Sequence, residues 1–152
     1  MTIVDIHPHI ISPDTARYPI APVGGKRSDW SEEHAAHDLE ELISSMNAAG
    51  VDKAAVVHSS TTYGSDCSYL ADSVAQHPDR LTGVFTIDVL APDAVDKMAY
   101  WLSRGLTGMR IFSRGSTIEG VLFAIDDPRI DPCYRFAVEN EISIVSNVKV
   151  EK

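Results

Sequence analysis

Residues 46–58 read MNAAGVDKAAVVH and join the end of a helix to a buried strand. Met46 lies on an apolar helical face, and Gly50 follows where a helix commonly ends in left-handed backbone geometry. Val51 stands where a hydrophobic residue often packs back onto such a helix. The apolar run 54–58 is then a short strand without alternation, as expected for a parallel strand that is buried on both faces.

The same order of helix and strand recurs along the whole chain. The predicted strands are residues 3–9, 54–58, 83–87, 108–112 and 142–148, and the predicted helices are residues 31–49, 66–76, 92–104 and 131–140. Residues 13–30, 59–65 and 113–127 lack periodicity and are predicted to be loops. Helices that alternate with short apolar strands indicate an α/β fold with a parallel sheet, here as one domain over residues 1–152.

The charge and the cysteines narrow the class of protein. Thirteen basic and 22 acidic residues leave a net charge of −9, which disfavours nucleic acid and anionic membranes as partners. No stretch approaches the roughly 20 apolar residues of a membrane span. Cys67 and Cys133 form no metal-binding or redox spacing, so we expect free thiols in a reducing compartment. With a strand beginning at Ile3 we expect no secretory leader and a cytoplasmic protein.

The sharpest chemical signal is the pair His7 and His9 at the end of the first strand. Residues two apart in a strand point to the same side, so the two imidazoles are expected to converge. Imidazole nitrogens are good ligands for zinc and similar divalent ions. Ligands of parallel α/β proteins bind at the carboxyl ends of the strands, where this pair stands. The spacing alone is also compatible with two partly exposed histidines beside a proline turn.

Other polar residues are expected at the same edge of the sheet. His58 ends the second strand, Asp88 ends the third and Arg110 lies within the fourth. An arginine in an apolar strand is costly unless it is paired. Arg110 is therefore either half of a buried ion pair or a fork that binds a substrate carboxylate. Tyr63, in the loop after the second strand, is a hydrogen-bond partner for a substrate or simply part of a polar loop.

Six stretches together resemble one known family. They are residues 4–9 (VDIHPH), 18–19 (YP), 46–54 (MNAAGVDKA), 63–64 (YG), 77–80 (HPDR) and 105–112 (GLTGMRIF). This set resembles the amidohydrolase superfamily, and within it the amidohydrolase-2 group of metal-dependent hydrolases and decarboxylases. The resemblance implies a (β/α)8 TIM-type barrel, of which this chain contains only strands 1–5 and their helices.

The resemblance also implies roles for individual residues. His7 and His9 match two metal ligands, while Arg110 matches a carboxylate clamp, with Tyr63 and His58 in the pocket. The implied cofactor is a divalent metal, zinc before others, although some relatives with the same histidine pair work without a metal. The catalytic residue stays unassigned, because residues 142–148 lack the family's next histidine and the last-strand aspartate has no counterpart. A whole barrel takes about 250 residues.

Three functions remain open at this point. The first is hydrolysis of a small carboxylated lactone or related cyclic ester by an activated water. Decarboxylation by the same site is its variant. The second is a truncated, non-catalytic half-barrel that persists as a homo-oligomer, because an open apolar sheet leaves two bare edges. A nucleotide-binding open sheet is disfavoured, since residues 8–11 (PHII) are not a glycine-rich phosphate loop.

Overall fold

The computed structural model describes residues 1–22, 25–33, 37–112 and 123–147. These residues form one parallel sheet whose strands follow each other in chain order. The strands are β1 (Val4–Asp5), β2 (Lys53–Val57), β3 (Leu81–Thr86), β4 (Leu106–Phe112) and β5 (Ser143–Asn147). The prediction of a parallel α/β fold is confirmed, and β1 and β5 are the two edges of the sheet within the described part of the chain.

Helices connect the strands and cover one face of the sheet. They are α1 (Asp29–Glu33), α2 (Leu39–Ala49), α3 (Ser60–Tyr63), α4 (Ser68–Gln76), α5 (Ala94–Ser103) and α6 (Asp131–Glu139), with a 3-10 turn at Pro128–Ile130 before α6. No helix in the described ranges is both long enough and apolar enough to cross a membrane. Each predicted helix has a counterpart in the structure, although some of the predicted boundaries were wrong.

The single helix predicted over residues 31–49 is wrong at its beginning. Asp38 has extended backbone geometry and its carboxylate accepts a hydrogen bond from the Glu41 N–H, so α2 begins afresh at Leu39. An aspartate at this position satisfies an N–H group that the first turn leaves without a partner. The loop predicted over residues 59–65 is also wrong, because it contains the short helix α3.

The first strand is much shorter than predicted. Only Val4 and Asp5 pair with β2, and the chain bends at Ile6. The Asp5 carboxylate accepts a hydrogen bond from the His7 N–H at 3.1 Å. A side-chain turn of this kind draws the backbone out of the ladder, and Pro8 has no N–H to donate. His7 and His9 therefore lie on a turn after β1, not on the strand itself.

The quoted turn between α2 and β2 forms as predicted. Gly50 has a φ of 69°, and the Val51 N–H donates to the Met46 carbonyl at 2.8 Å. The guanidinium of Arg80 fastens this turn from the neighbouring chain segment. It donates to the carbonyls of Val51 and Asp52 and to the Asn47 amide oxygen at 2.7–3.1 Å.

The two faces of the sheet differ in chemistry. Val56, Phe85, Met109 and Ile111 are buried in the main apolar core together with residues of the helices. The alternate positions on β3 and β4 carry Val84, Thr86, Gly108, Arg110 and Phe112, with Thr86 opposite Arg110 in the register. Since partners in a parallel pair leave the same face of a sheet, these side chains lie on the face away from the helices.

Candidate functional site

His7 and His9 lie side by side just after β1. Their ring centroids are 5.1 Å apart and the rings meet edge to face. Nδ1 of His9 is 2.7 Å from the carbonyl oxygen of Val57, the last residue of β2. A carbonyl can only accept, so Nδ1 of His9 carries the proton and the lone pair of the neutral ring is on Nε2. The predicted pairing of the two imidazoles is present, but a turn produces it and not strand alternation.

Burial and positive charge favour the neutral form of both imidazoles. Burial lowers the pKa of His7 below its ordinary value, and the charge of Arg110 lowers it further, against an opposing effect of Asp5. Burial also lowers the pKa of His9, in part offset by the hydrogen bond to Val57, with His7 and Arg110 adding to the decrease. A neutral imidazole is the form that binds a metal ion.

Arg110 extends from the middle of β4 on the face away from the helices. Its guanidinium carbon lies 4.6 Å from the centre of the Phe112 ring. Burial lowers its pKa, although an arginine remains charged at any physiological pH. The charge of Arg110 influences His7, His9 and His58, which puts the guanidinium within electrostatic range of all three. The structure thus gathers these four residues at one end of the sheet.

His58 is buried directly after β2. Its Nε2 lies 2.8 Å from the Gly64 carbonyl, and the side chain is 3% exposed. Burial lowers the pKa of His58 to about 4, despite the opposing hydrogen bond to Gly64 and the charge of Asp66. The ring is therefore neutral, with the proton on Nε2, and it holds the two ends of the α3 segment together.

Tyr63 lies behind His58, with ring centroids 6.3 Å apart. Its hydroxyl oxygen accepts a hydrogen bond from the Ser12 N–H at 2.7 Å, and the residue is 5% exposed. Tyr63, Tyr18 and Ile11 form a small apolar cluster of their own. Tyr63 thereby anchors the segment that follows His9.

Two other predicted residues have other surroundings. Asp88 is exposed and caps a turn by accepting from the Leu90 N–H. Cys67 is a buried free thiol, and its burial raises the pKa of the thiol to about 12.

Thr86 is a buried polar residue near these side chains that sequence reasoning did not single out. It is 2% exposed and stands opposite Arg110 in the β3–β4 register. Among the described residues its hydroxyl has no hydrogen-bond partner. The signal was present in the sequence, since a threonine within the apolar run GVFTI, close to the end of a strand, is a polar group at the edge where ligands bind.

The residues present fit a divalent metal only in part. Two adjacent imidazoles, one of them oriented by a backbone carbonyl, are typical of metal ligands whose second nitrogen is fixed by the protein. Within residues 1–22, 25–33, 37–112 and 123–147, however, no group of three or more histidine, cysteine, aspartate or glutamate side chains is placed to hold a metal ion. His7 and His9 line a cleft of about 440 Å³ together with residues of α2, and they provide two of the ligands that such an ion needs.

Solved structures with this fold include hydrolases and decarboxylases. A probable 2-pyrone-4,6-dicarboxylic acid hydrolase from Acinetobacter baumannii, with citric acid bound, matches with a TM-score of 0.73 and 17% identity over 97% of this chain and 50% of its own. A manganese-bound 5-carboxyvanillate decarboxylase from Novosphingobium aromaticivorans matches with a TM-score of 0.65 and 20% identity, over 94% of this chain and 49% of its own. A zinc-bound amidohydrolase from Burkholderia multivorans matches with a TM-score of 0.63 and 20% identity, over 99% of this chain and 49% of its own.

These likenesses define the fold. The described residues have the architecture of five consecutive strands of a (β/α)8 barrel, with the intervening helices, as the sequence resemblance implied. It spans about half the length of each structure it matches. No protein-family model and no curated protein matches the sequence.

Proposed function

We propose that this chain supplies the metal-histidine and carboxylate-binding half of an amidohydrolase-type site, which hydrolyses a small carboxylated lactone or related cyclic ester. The observation that carries the proposal is the hydrogen bond from His9 Nδ1 to the Val57 carbonyl, with His7 beside it. This arrangement orients two neutral imidazoles at the carboxyl end of a parallel sheet, where barrel enzymes bind their substrates. The two free, buried cysteines support a reducing, cytoplasmic setting.

The residues of this chain would bind the substrate carboxylate and position the two histidines. Arg110 binds a substrate carboxylate through its planar fork, and the Phe112 ring limits where the guanidinium can lie. Asp5 holds the turn that carries His7, while Val57 orients His9. His58 and Tyr63 support the wall of the pocket through Gly64 and Ser12.

A divalent metal fits at His7 and His9, with its remaining ligands coming from outside the described residues. When bound, such an ion polarises a carbonyl and makes a water molecule acidic enough to attack it near neutral pH. Zinc and manganese are both supported as candidates, because matched barrels contain one or the other. The general base would lie in the part of the barrel that the described strands do not provide.

Native mass spectrometry of the purified protein tests this proposal, followed by an ultraviolet assay of 2-pyrone-4,6-dicarboxylate ring opening with added zinc or manganese. We expect a bound divalent ion and ring opening whenever the remaining strands are supplied. The same turnover in a His7→Ala, His9→Ala double variant would contradict the proposal, since the pair would then have no part in the reaction.

Decarboxylation is the second candidate, supported by the decarboxylases among the matched barrels. It needs the same carboxylate clamp but releases carbon dioxide from an aromatic acid. Incubation with 2,6-dihydroxybenzoate or 5-carboxyvanillate separates the two reactions. Release of carbon dioxide without ring opening of the pyrone would replace hydrolysis by decarboxylation.

A non-catalytic, oligomeric half-barrel is the third candidate. It is supported by apolar side chains at both edges of the sheet, since Val4 and Ile6 are 49% and 73% exposed and Ile144 is 38% exposed. Exposed edges of this kind favour pairing with other chains. A metal-free oligomer of 16.6 kDa chains that turns over no substrate would favour this candidate.

A further inference from the structure

Thr86 is a buried polar residue whose hydroxyl forms no hydrogen bond among the described residues. The side chain is 2% exposed, and within the described ranges its Oγ1 has no hydrogen-bond partner. More than nine in ten buried polar groups in folded proteins do have a partner, so an exception calls for an explanation such as a ligand that binds there. Thr86 has no described partner, whereas nearby hydroxyls do, as Ser59 and Thr62 bond to each other at 3.0 Å.

The position of Thr86 limits what that ligand can be. Thr86 is the register partner of Arg110, so both side chains leave the same face of the sheet, away from the helix-packed core. Its main chain is held independently, because the Cys67 thiol contacts the Thr86 carbonyl oxygen at 3.8 Å. A hydroxyl beside a guanidinium is a site for an anion, since the positive charge of Arg110 disfavours a cation there.

We propose that Thr86 and Arg110 form one carboxylate-binding subsite, in which the Thr86 hydroxyl donates to a carboxylate oxygen while Arg110 binds the group through its fork. The inference rests on the proposed role of Arg110 as the carboxylate clamp and adds a second residue that binds the same group. The charge of Arg110 selects a carboxylate over a neutral amide of the same shape, because hydrogen bonds between ionised groups are the stronger ones. The Thr86 hydroxyl adds one hydrogen bond to the carboxylate oxygen in the same subsite.

Calorimetric titration with isophthalate, a planar dicarboxylate, tests the subsite, with isophthalamide as its uncharged counterpart. Thr86→Val removes the hydroxyl at nearly constant volume, and Thr86→Ser keeps it. Thr82→Val is the matched control, because Thr82 lies on the same strand and face four residues earlier, where its hydroxyl bonds to that of Thr107. Thermal unfolding of each variant confirms that it folds.

We expect the Kd of isophthalate to rise about tenfold in Thr86→Val, the value of one hydrogen bond to a charged group. The Kd of isophthalate for Thr86→Ser should stay within about twofold of that for the original protein, and the Kd for Thr82→Val should be unchanged. Isophthalamide should bind weakly and equally to all four proteins. Unchanged isophthalate binding by Thr86→Val would overturn the proposal, as would equal binding of the two ligands or no binding of either.

Zinc titration of the same proteins distinguishes this inference from the proposed function. If zinc binds through His7 and His9 but Thr86→Val leaves the Kd of isophthalate unchanged, the subsite is overturned and the metal site stands. If Thr86→Val raises the Kd of isophthalate in a protein that binds no zinc, the subsite is supported and the metal-dependent reaction is contradicted.

Discussion

Nδ1 of His9 lies 2.7 Å from the carbonyl oxygen of Val57 and joins the turn after β1 to the last residue of β2. This contact sets the tautomer of the imidazole with a main-chain atom of a buried strand, which cannot rotate away as a side chain can. Val57 itself is fully buried and its N–H receives its own partner, the Pro8 carbonyl, at 2.8 Å. The His9 ring is therefore oriented before any ligand arrives, which lowers the cost of binding.

Replacement of both His7 and His9 by alanine should abolish stoichiometric zinc binding, because the two imidazoles are the oriented nitrogen donors of the site. We expect the apparent Kd for zinc to rise at least about 100-fold, measured by competition with a chromophoric chelator. His77→Ala is the control, as this histidine follows α4 at the other end of the sheet. Retention of one tightly bound zinc in the double variant would show that the ligands are elsewhere.

Replacement of Arg110 by methionine should weaken carboxylate recognition selectively. The loss of a charged, two-pronged hydrogen bond should raise the KM for a carboxylated substrate by about 10- to 100-fold, against less than about threefold for its uncharged analogue. Steady-state kinetics on the two substrates measures the difference. Equal effects on both would mean that Arg110 serves the fold and not the substrate.

Protonation of His58 should make the protein less stable in acid. Burial lowers its pKa to about 4 from an ordinary value of 6.5, so the native site accepts only the neutral ring. The stabilisation is complete above pH 6.5 and is lost as the pH falls through 4, which corresponds to about 3 kcal/mol in the free energy of unfolding.

Urea unfolding at pH 7.5 and pH 4 checks this sign and size. His58→Gln retains a donor for the Gly64 carbonyl but cannot take up a proton. Between pH 7.5 and pH 4 its free energy of unfolding should therefore decrease by about 3 kcal/mol less than that of the original protein. His77→Gln should behave as the original protein does. A parallel loss in the original protein and His58→Gln would mean that His58 does not titrate in this range.

Arg80 should contribute to stability without touching the site. Its guanidinium holds the turn between α2 and β2 through Val51, Asp52 and Asn47, at the end of the sheet opposite the histidines. Arg80→Met should lower the free energy of unfolding by about 2 kcal/mol, since three acceptors lose their donor. Arg135→Met, at an exposed position on α6, should change it by less than about 0.5 kcal/mol.

Chemical denaturation measures both variants, and zinc titration provides the second readout. Arg80→Met is expected to bind zinc with unchanged affinity in its folded state. A loss of zinc affinity without a loss of stability would place Arg80 in the functional site, contrary to its position in the structure.

The order of the elements was predictable because it depends on local signals. The αL geometry of Gly50 and the core contact of Val51 follow from residues within one turn of each other. Short apolar strands separated by amphipathic helices allow few arrangements other than a parallel sheet. The break between α1 and α2 was missed because the helical spacing of Leu39, Leu42 and Met46 indicates a helix without showing where it begins. Only the cap at Asp38 marks the start.

The candidate site was predictable only in its residue types. The sequence determined that two histidines follow the first strand and that a lone arginine interrupts the fourth, since these are facts of spacing and composition. Tertiary structure alone decided that the Asp5 turn and the Val57 carbonyl orient those histidines, that the Tyr63 hydroxyl is bonded to Ser12, and that Thr86 stands opposite Arg110. Apart from the local Asp5 turn, each of these relationships depends on a main-chain atom or a register position of another segment. Main-chain atoms are alike in every residue, so no pattern of side chains along the chain can announce which of them will meet.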